Sequence, residues 1–170
     1  GFTIGMRFHS APVVRLADAK PVQLGHAARA DGAWRLYAFA DASGKLLGEL
    51  AAFLAESPNS PIRRFTPTGA DIDSVIDVLA VFQQGHRELK VEALPSILLP
   101  RKGCFGLIDY EKAYCLDLKN GPDIFDLRGI DRARGAIVIV RPDQYVAHVL
   151  PIDDHDALAD FFAGFLLPQD

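Results

Sequence analysis

The run Ala136-Ile137-Val138-Ile139-Val140 constrains this 170-residue chain more than any other feature. Its β-branched residues disfavour a helix, and the absence of a polar face marks a strand covered on both sides within a sheet. Arg141-Pro142-Asp143-Gln144 must then reverse the chain, with Pro142 supplying the fixed φ of a turn. Tyr145–Val149 returns as the partner strand, and Pro151 ends it. Asp153 or Asp154 places a carboxylate at the positive end of a final helix. Leu158, Phe161, Phe162, Phe165 and Leu166 give that helix an apolar stripe to lay on the sheet. The C-terminal third therefore reads as a hairpin plus a terminal helix.

The same logic carries upstream. Val22–Ala28 and Trp34–Ala40 are apolar runs separated by Ala30-Asp31-Gly32, which predicts a hairpin or two adjacent strands. Within the second run, Trp34, Leu36 and Ala38 alternate with Arg35, Tyr37 and Phe39, as in an interior strand packed on both faces. Asp41-Ala42-Ser43-Gly44 breaks this strand and supplies caps for a helix from Lys45 to Glu56, with Leu46, Leu47, Leu50, Phe53 and Leu54 on its buried stripe. Pro12 and Pro21 make 1–21 an extended lead-in. Pro58, Pro61, Pro67 and Gly69 make Ser57–Ala70 a long loop and a candidate interaction surface. Val75–Phe82 reads as a buried strand, although its spacing also fits a helix. From 85 to 134, Pro95, Pro100, Gly103, Gly106, Gly121, Pro122 and Gly129 interrupt every pattern and predict an irregular insertion, in which Ile97-Leu98-Leu99 could be a strand.

Strand, helix, strand, then hairpin and helix is the order of a thioredoxin-like α/β layer structure: a mixed central sheet with flanking helices. A chain of this length builds one such core, so 1–170 is expected to be a single domain, with 136–167 as its hairpin and terminal helix. The net charge of −4 argues against nucleic acid, which needs a basic surface. No apolar stretch approaches the ~20 residues that cross a bilayer. Residues 153–170 carry −5 through Asp153, Asp154, Asp156, Asp160 and Asp170, expected as a solvated helix face. No leader sequence is visible, and a chain beginning at Gly1 is expected to be a processed protein or part of a longer one.

Chemistry is sparse. A thioredoxin-type site needs a cysteine where the first core strand meets its helix, so that the helix dipole lowers the thiol pKa. Here that position is Asp41-Ala42-Ser43-Gly44, without sulfur. The proline that such folds place before the hairpin strand is also missing, since Arg134-Gly135-Ala136 stands there. Cys104 and Cys115 have ten residues between them, neither a redox pair nor a zinc spacing, and are expected as free thiols in a reducing cytoplasm. The competing reading is a stand-alone redox or peroxidatic protein that uses Cys104 or Cys115. His9, His26, His86, His148 and His155 form no metal pattern; His148 is expected to be partly buried and His155 exposed. Asp71, Asp73 and Asp77 lack the glycine and glutamate of a calcium loop and are expected to punctuate a strand. No G-x-S-x-G elbow or G-x-G-x-x-G fingerprint occurs, and Arg101-Lys102, Arg132 and Arg134 are expected to be solvated. The chain is thus expected to hold no catalytic, cofactor or metal residues. What remains is a set of aromatic and arginine residues in loops: Phe65, Phe105, Tyr110, Tyr114 and Phe125, with Arg63, Arg64 and Arg128. Such enrichment marks interface centres and points to protein–protein contact.

Five strings carry a resemblance: Gly5-Met6-Arg7-Phe8-His9-Ser10-Ala11-Pro12, Phe82-Gln83-Gln84, Gly106-Leu107-Ile108-Asp109-Tyr110-Glu111-Lys112, Leu127-Arg128-Gly129-Ile130-Asp131-Arg132 and Val140-Arg141-Pro142-Asp143-Gln144-Tyr145-Val146. Together they resemble the C-terminal domain of the phenol 2-monooxygenase / 3-hydroxybenzoate 4-hydroxylase family of FAD-dependent aromatic hydroxylases, over nearly the whole chain. The resemblance implies a thioredoxin-like fold without redox cysteines, serving as a dimerisation domain behind an FAD domain and a substrate domain. It implies a parent that uses NADPH and O2 to hydroxylate a phenol, with FAD and substrate held outside this chain. Arg141, Asp143 and Tyr145 lie in its most specific string, and their expected role is structural, with Arg141 and Asp143 bonding to neighbouring backbone.

Overall fold

Nine strands and four α-helices are formed by residues 1–119 and 121–169, the part described by this computed structural model. Asp170, counted above in the acidic tail, lies outside the described residues. The strands are β1 (Pro12–Arg15), β2 (Lys20–Gln23), β3 (Trp34–Phe39), β4 (Ile76–Phe82), β5 (Arg101–Lys102), β6 (Leu107–Ile108), β7 (Ala113–Leu116), β8 (Ala136–Val140) and β9 (Val146–Leu150). Seven make one sheet in the order β2-β1-β7-β4-β3-β8-β9, and β5 pairs with β6 as a separate hairpin. The β3–β4 and β4–β7 pairs are parallel, and every other pair is antiparallel. A parallel β3–β4 pair requires a crossover, supplied by α1 (Lys45–Glu56) and α2 (Pro61–Phe65). The remaining helices are α3 (Ile124–Arg128) and α4 (His155–Ala163). The fold is the thioredoxin-like mixed sheet with flanking helices that the sequence predicts.

Strand alternation divides the core between the two faces. Leu36 and Ala38 of β3 and Ile76, Val78 and Ala80 of β4 pack under α1 and α4, against Leu47, Leu50, Leu54, Leu158 and Phe162. Tyr37, Phe39, Leu79 and Val81 face the other way, against Phe8, Leu24 and Phe125. Every residue of β4 is buried, as expected of a strand between two parallel neighbours covered on both sides. At the start of α4, the Asp154 side chain accepts from the Ala157 backbone N–H at 3.2 Å.

Several expectations need correction. Val22–Ala28 and Trp34–Ala40 do not form a hairpin. Val22 belongs to β2, which pairs with β1, while Leu24–Ala27 is a short 3-10 turn. The lead-in 1–21 is therefore not simply extended but carries β1 and a turn through Ala19 at φ +56°. The Ser57–Ala70 loop contains α2, because Pro61 sits at the start of the helix, where its missing N–H costs nothing, after Ser60 as N-cap. The stretch 85–134 is irregular only in part. Ala113–Leu116 is β7, an inner strand of the main sheet, and Ser96–Leu98 is a 3-10 turn. His155 is not exposed: it is half-buried, with its ring stacked on Phe53 at 4.9 Å.

Candidate functional site

The junction of β3 and α1 is where this architecture can mount a reactive group, because the helix N-terminus stabilises an anion there. Asp41 occupies it. Its carboxylate is almost wholly buried, accepts the Leu47 backbone N–H at 3.2 Å and accepts the Ser43 hydroxyl. Ser43 Oγ in turn accepts from the Lys45 N–H at 3.2 Å. Burial pushes the Asp41 pKa up, but the bonds from Ser43 and the Leu47 backbone outweigh it and hold the carboxyl below the usual range. A fixed carboxylate thus already satisfies the helix end.

The neighbouring chain closes the same junction. Gly135 lies at φ +66°, and a Cβ there would stand 2.3 Å from the Phe39 carbonyl oxygen and 3.0 Å from the Asp41 nitrogen. Only glycine allows this approach. Gln83 Nε2 donates to the Ala40 carbonyl at 2.8 Å and to the Arg132 carbonyl at 2.7 Å, bracing β4 against both loops. No sulfur lies in this ring of contacts. Cys115 is buried within β7, and burial pushes its thiol up to about 12. Cys104 is exposed beyond β5, near the opposite end of the parallel strands.

That opposite end holds a second constellation, around a cleft of about 180 Å³. Lys112, just ahead of β7, reaches Asp77 at 2.6 Å, Asp73 at 2.7 Å and Asp109 at 3.4 Å. Lys102 bonds Asp73 at 2.7 Å, and Arg35 lies 3.4 Å from Asp77 and 2.7 Å from Asp31. Burial lowers the Lys112 pKa, but the surrounding carboxylates outweigh it and hold it above the ordinary range. Asp73, despite burial, is held low by Lys102 and Lys112, whereas burial dominates at Asp77 and raises it. Each acid has a base beside it. The cluster is an ion-pair network, with no unmatched acid. Among the described residues, no group of three His, Cys, Asp or Glu side chains could hold a metal ion.

Asp73 and Asp77, expected only to punctuate a strand, belong to this network together with Arg35 and Lys112, for which the sequence predicts no role. The signal was present: Arg35 and Asp77 stand one residue into two apolar strands, and the parallel register sets them side by side.

The predicted interface residues fall on separate elements. Phe65, the last residue of α2, is buried, Arg64 lies 5.2 Å over its ring, and Arg63 donates to the Ala55 carbonyl at 3.2 Å. Tyr114 and Phe125 belong to the core. Arg128 donates to the Ser10 carbonyl at 2.8 Å. In the β8–β9 turn Arg141 pairs with Asp143 and lies over the Tyr145 ring, and Asp143 accepts the Tyr145 N–H at 3.3 Å. Asp143 thus bonds backbone, while Arg141 turns to Asp143. Among these aromatics, Phe105, Tyr110 and Tyr145 remain exposed, whereas Phe65, Tyr114 and Phe125 are buried.

Comparison with known proteins follows this geometry. Residues 1–170 match the family model described as phenol hydroxylase, C-terminal dimerisation domain. The chain is 59% identical over 172 residues to a 3-hydroxybenzoate 4-monooxygenase of Comamonas testosteroni, covering 98% of the chain and 27% of that protein. It is 37% identical over 171 residues to an FAD-dependent monooxygenase of Aspergillus terreus, covering 96% and 28%. The chain therefore spans about a quarter of the length of these curated relatives. Among solved structures, the thioredoxin domain of a thiol-disulfide oxidoreductase from Bacteroides vulgatus superposes with a TM-score of 0.59 at 13% identity, covering 95% of this chain and 99% of that one. The mitochondrial 2-Cys peroxiredoxin of Plasmodium falciparum gives 0.53 at 8% identity, covering 95% and 93%. At such identities these two likenesses show the fold alone.

Proposed function

The chain belongs to the phenol hydroxylase C-terminal dimerisation domain family, and from that premise we propose that it is the non-catalytic association domain of an FAD-dependent aromatic-ring monooxygenase. Two such chains pair as a homodimer. The parent hydroxylates a phenolic substrate with NADPH and O2, incorporating one oxygen atom into the ring and releasing the other as water. FAD, NADPH and substrate are bound by the FAD and substrate domains of that parent. We read 1–170 as a single domain of it, because both core clusters share one sheet. We place the protein in the cytoplasm, where Cys104 and Cys115 remain free thiols. Among the described residues, no helix is long and apolar enough to cross a membrane.

The observation that carries the reading is Asp41. Redox relatives of this fold require a thiolate at the start of α1, and here a hydrogen-bonded carboxylate holds that place. The same carboxylate makes the junction unfit for FAD, whose pyrophosphate would meet a fixed negative charge at the helix end. The stand-alone redox reading is not favoured, since Cys115 is buried with its pKa pushed up to about 12 and Cys104 lies at the far end of the strands. A peroxide-consumption assay tests the choice. No turnover above a cysteine-free variant is expected, and thiol-dependent turnover would restore the redox reading.

A further inference from the structure

Resting on the dimerisation reading, we propose that the arm spanning residues 99–112 anchors the contact between two copies of this chain. Between its buried ends, Pro100 and Lys112, the arm stands outside the fold's interior: none of residues 101–111 is buried or belongs to either core cluster. Yet its distal part, Cys104-Phe105-Gly106-Leu107-Ile108-Asp109-Tyr110, is largely apolar. Phe105 is 85% exposed, Leu107 69% and Tyr110 46%, with Ile72 also exposed on the adjoining loop. Scattered exposed apolar residues are ordinary, but this many on one short projection mark an interaction surface.

The arm is also held in place before anything docks on it. Its hairpin pairs Arg101 with Ile108 and Lys102 with Leu107. Lys102 bonds Asp73 at 2.7 Å, the Gly103 N–H donates to Asp71 at 2.9 Å, and the Asp109 N–H donates to the Pro100 carbonyl at 2.9 Å. The polar contacts fix the base and leave the apolar tip free. A rigid tip loses little conformational freedom on binding, and residues 103–108 carry no charge to desolvate. Phe105 and Tyr110 supply the aromatic anchors around which interface energy concentrates.

A second copy is the occupant because the matched family is a dimerisation domain, and a homodimer ordinarily pairs one surface with itself about a twofold axis. The arms then lie against each other across that axis. The tip offers on the order of 400 Å² per copy, against roughly 800 Å² per partner in a standard interface, so it forms the centre of a contact whose rim includes the Ile72 loop. Ile4, Met6 and Tyr145 form a second exposed group, along the segment laid on the start of β9, and serve as the comparison.

Sedimentation equilibrium on the intact protein that carries this chain tests the assignment. Phe105→Asp combined with Leu107→Asp is expected to weaken the dimer about a hundredfold or more, as for two hot-spot residues. Ile4→Asp and Met6→Asp are expected to leave it unchanged. An arm variant that dimerises with the wild-type constant overturns the arm and leaves the dimerisation reading intact; a wild-type protein that is monomeric throughout removes both. Alkylation of Cys104 in the unaltered protein, followed by peptide mapping, gives an answer independent of variant folding. The arm contact predicts slower reaction in the dimer than in the dilute monomer, and equal rates overturn it.

Discussion

At the scale of single residues, Asp41 links stability to pH. Its carboxyl is held below the usual range in the fold, as are those of Asp73 and Asp109. A carboxyl with a lowered folded pKa contributes stability that is complete above its unfolded value, about 4, and disappears as pH falls through the folded value. Asp77 runs the other way, since burial raises it and favours the protonated fold in acid. Asp18, Asp31 and Asp143 are held low as well, so six carboxyls against one predict that the urea midpoint falls between pH 5 and pH 3, and that Asp41→Asn flattens part of that fall. Asp41→Ala, which strands the Leu47 N–H and the Ser43 hydroxyl, is expected to cost about 1–3 kcal/mol at pH 7 by urea titration. The vacancy of sulfur at 41–44 was readable in the sequence. That 41–44 caps the following helix was readable too; which oxygen does so was not, because the bond from Leu47 to Asp41 exists only once α1 has formed.

At the scale of elements, α2 and the β8 entrance are the sensitive points. Ser60 both caps α2, accepting from the Arg63 N–H at 3.5 Å, and donates its buried hydroxyl to the Leu54 carbonyl at 2.7 Å. Ser60→Ala is expected to lower stability by about 1–2 kcal/mol. Gly135→Ala must either leave φ +66° or drive a methyl into the Phe39 carbonyl, and is expected to cost about 3 kcal/mol or more in a thermal melt. What sequence reading recovers follows the range of the forces involved. β3, α1, β8, β9 and α4 were legible, because each has an apolar pattern long enough to declare its partner face, whereas the short apolar run of β4 fits a helix as well as the strand it forms. β7 was not: Ala113-Tyr114-Cys115-Leu116 is four residues between Lys112 and Asp117, and its pairings reach back to Val13–Arg15 and Ala80–Phe82. Nothing local distinguishes it from the glycines and prolines around it. α2 was hidden by its own Pro61, a helix breaker everywhere except at the first turn.

At the scale of the molecule, one end of the parallel strands is sealed and the other is charged. The network of Arg35, Asp73, Asp77, Lys102, Asp109 and Lys112 joins β3, β4, the arm and the start of β7. Lys112→Met would leave the buried Asp77 without its nearest cation and Asp73 with Lys102 alone, and is expected to destabilise the fold by about 3–5 kcal/mol in urea. The interface set was the least legible part. Aromatics in loops look alike in sequence, and only three-dimensional packing separates Phe65, Tyr114 and Phe125, which turn inward, from Phe105 and Tyr110, which do not. The central claim is that this thioredoxin-like scaffold works by adhesion and not through sulfur. Its most direct test is the dimer dissociation constant of the unaltered intact protein, by sedimentation equilibrium with and without excess thiol reductant. The expected result is a dimer with an unchanged constant; a protein that never pairs, or pairing that is lost on reduction, would contradict it.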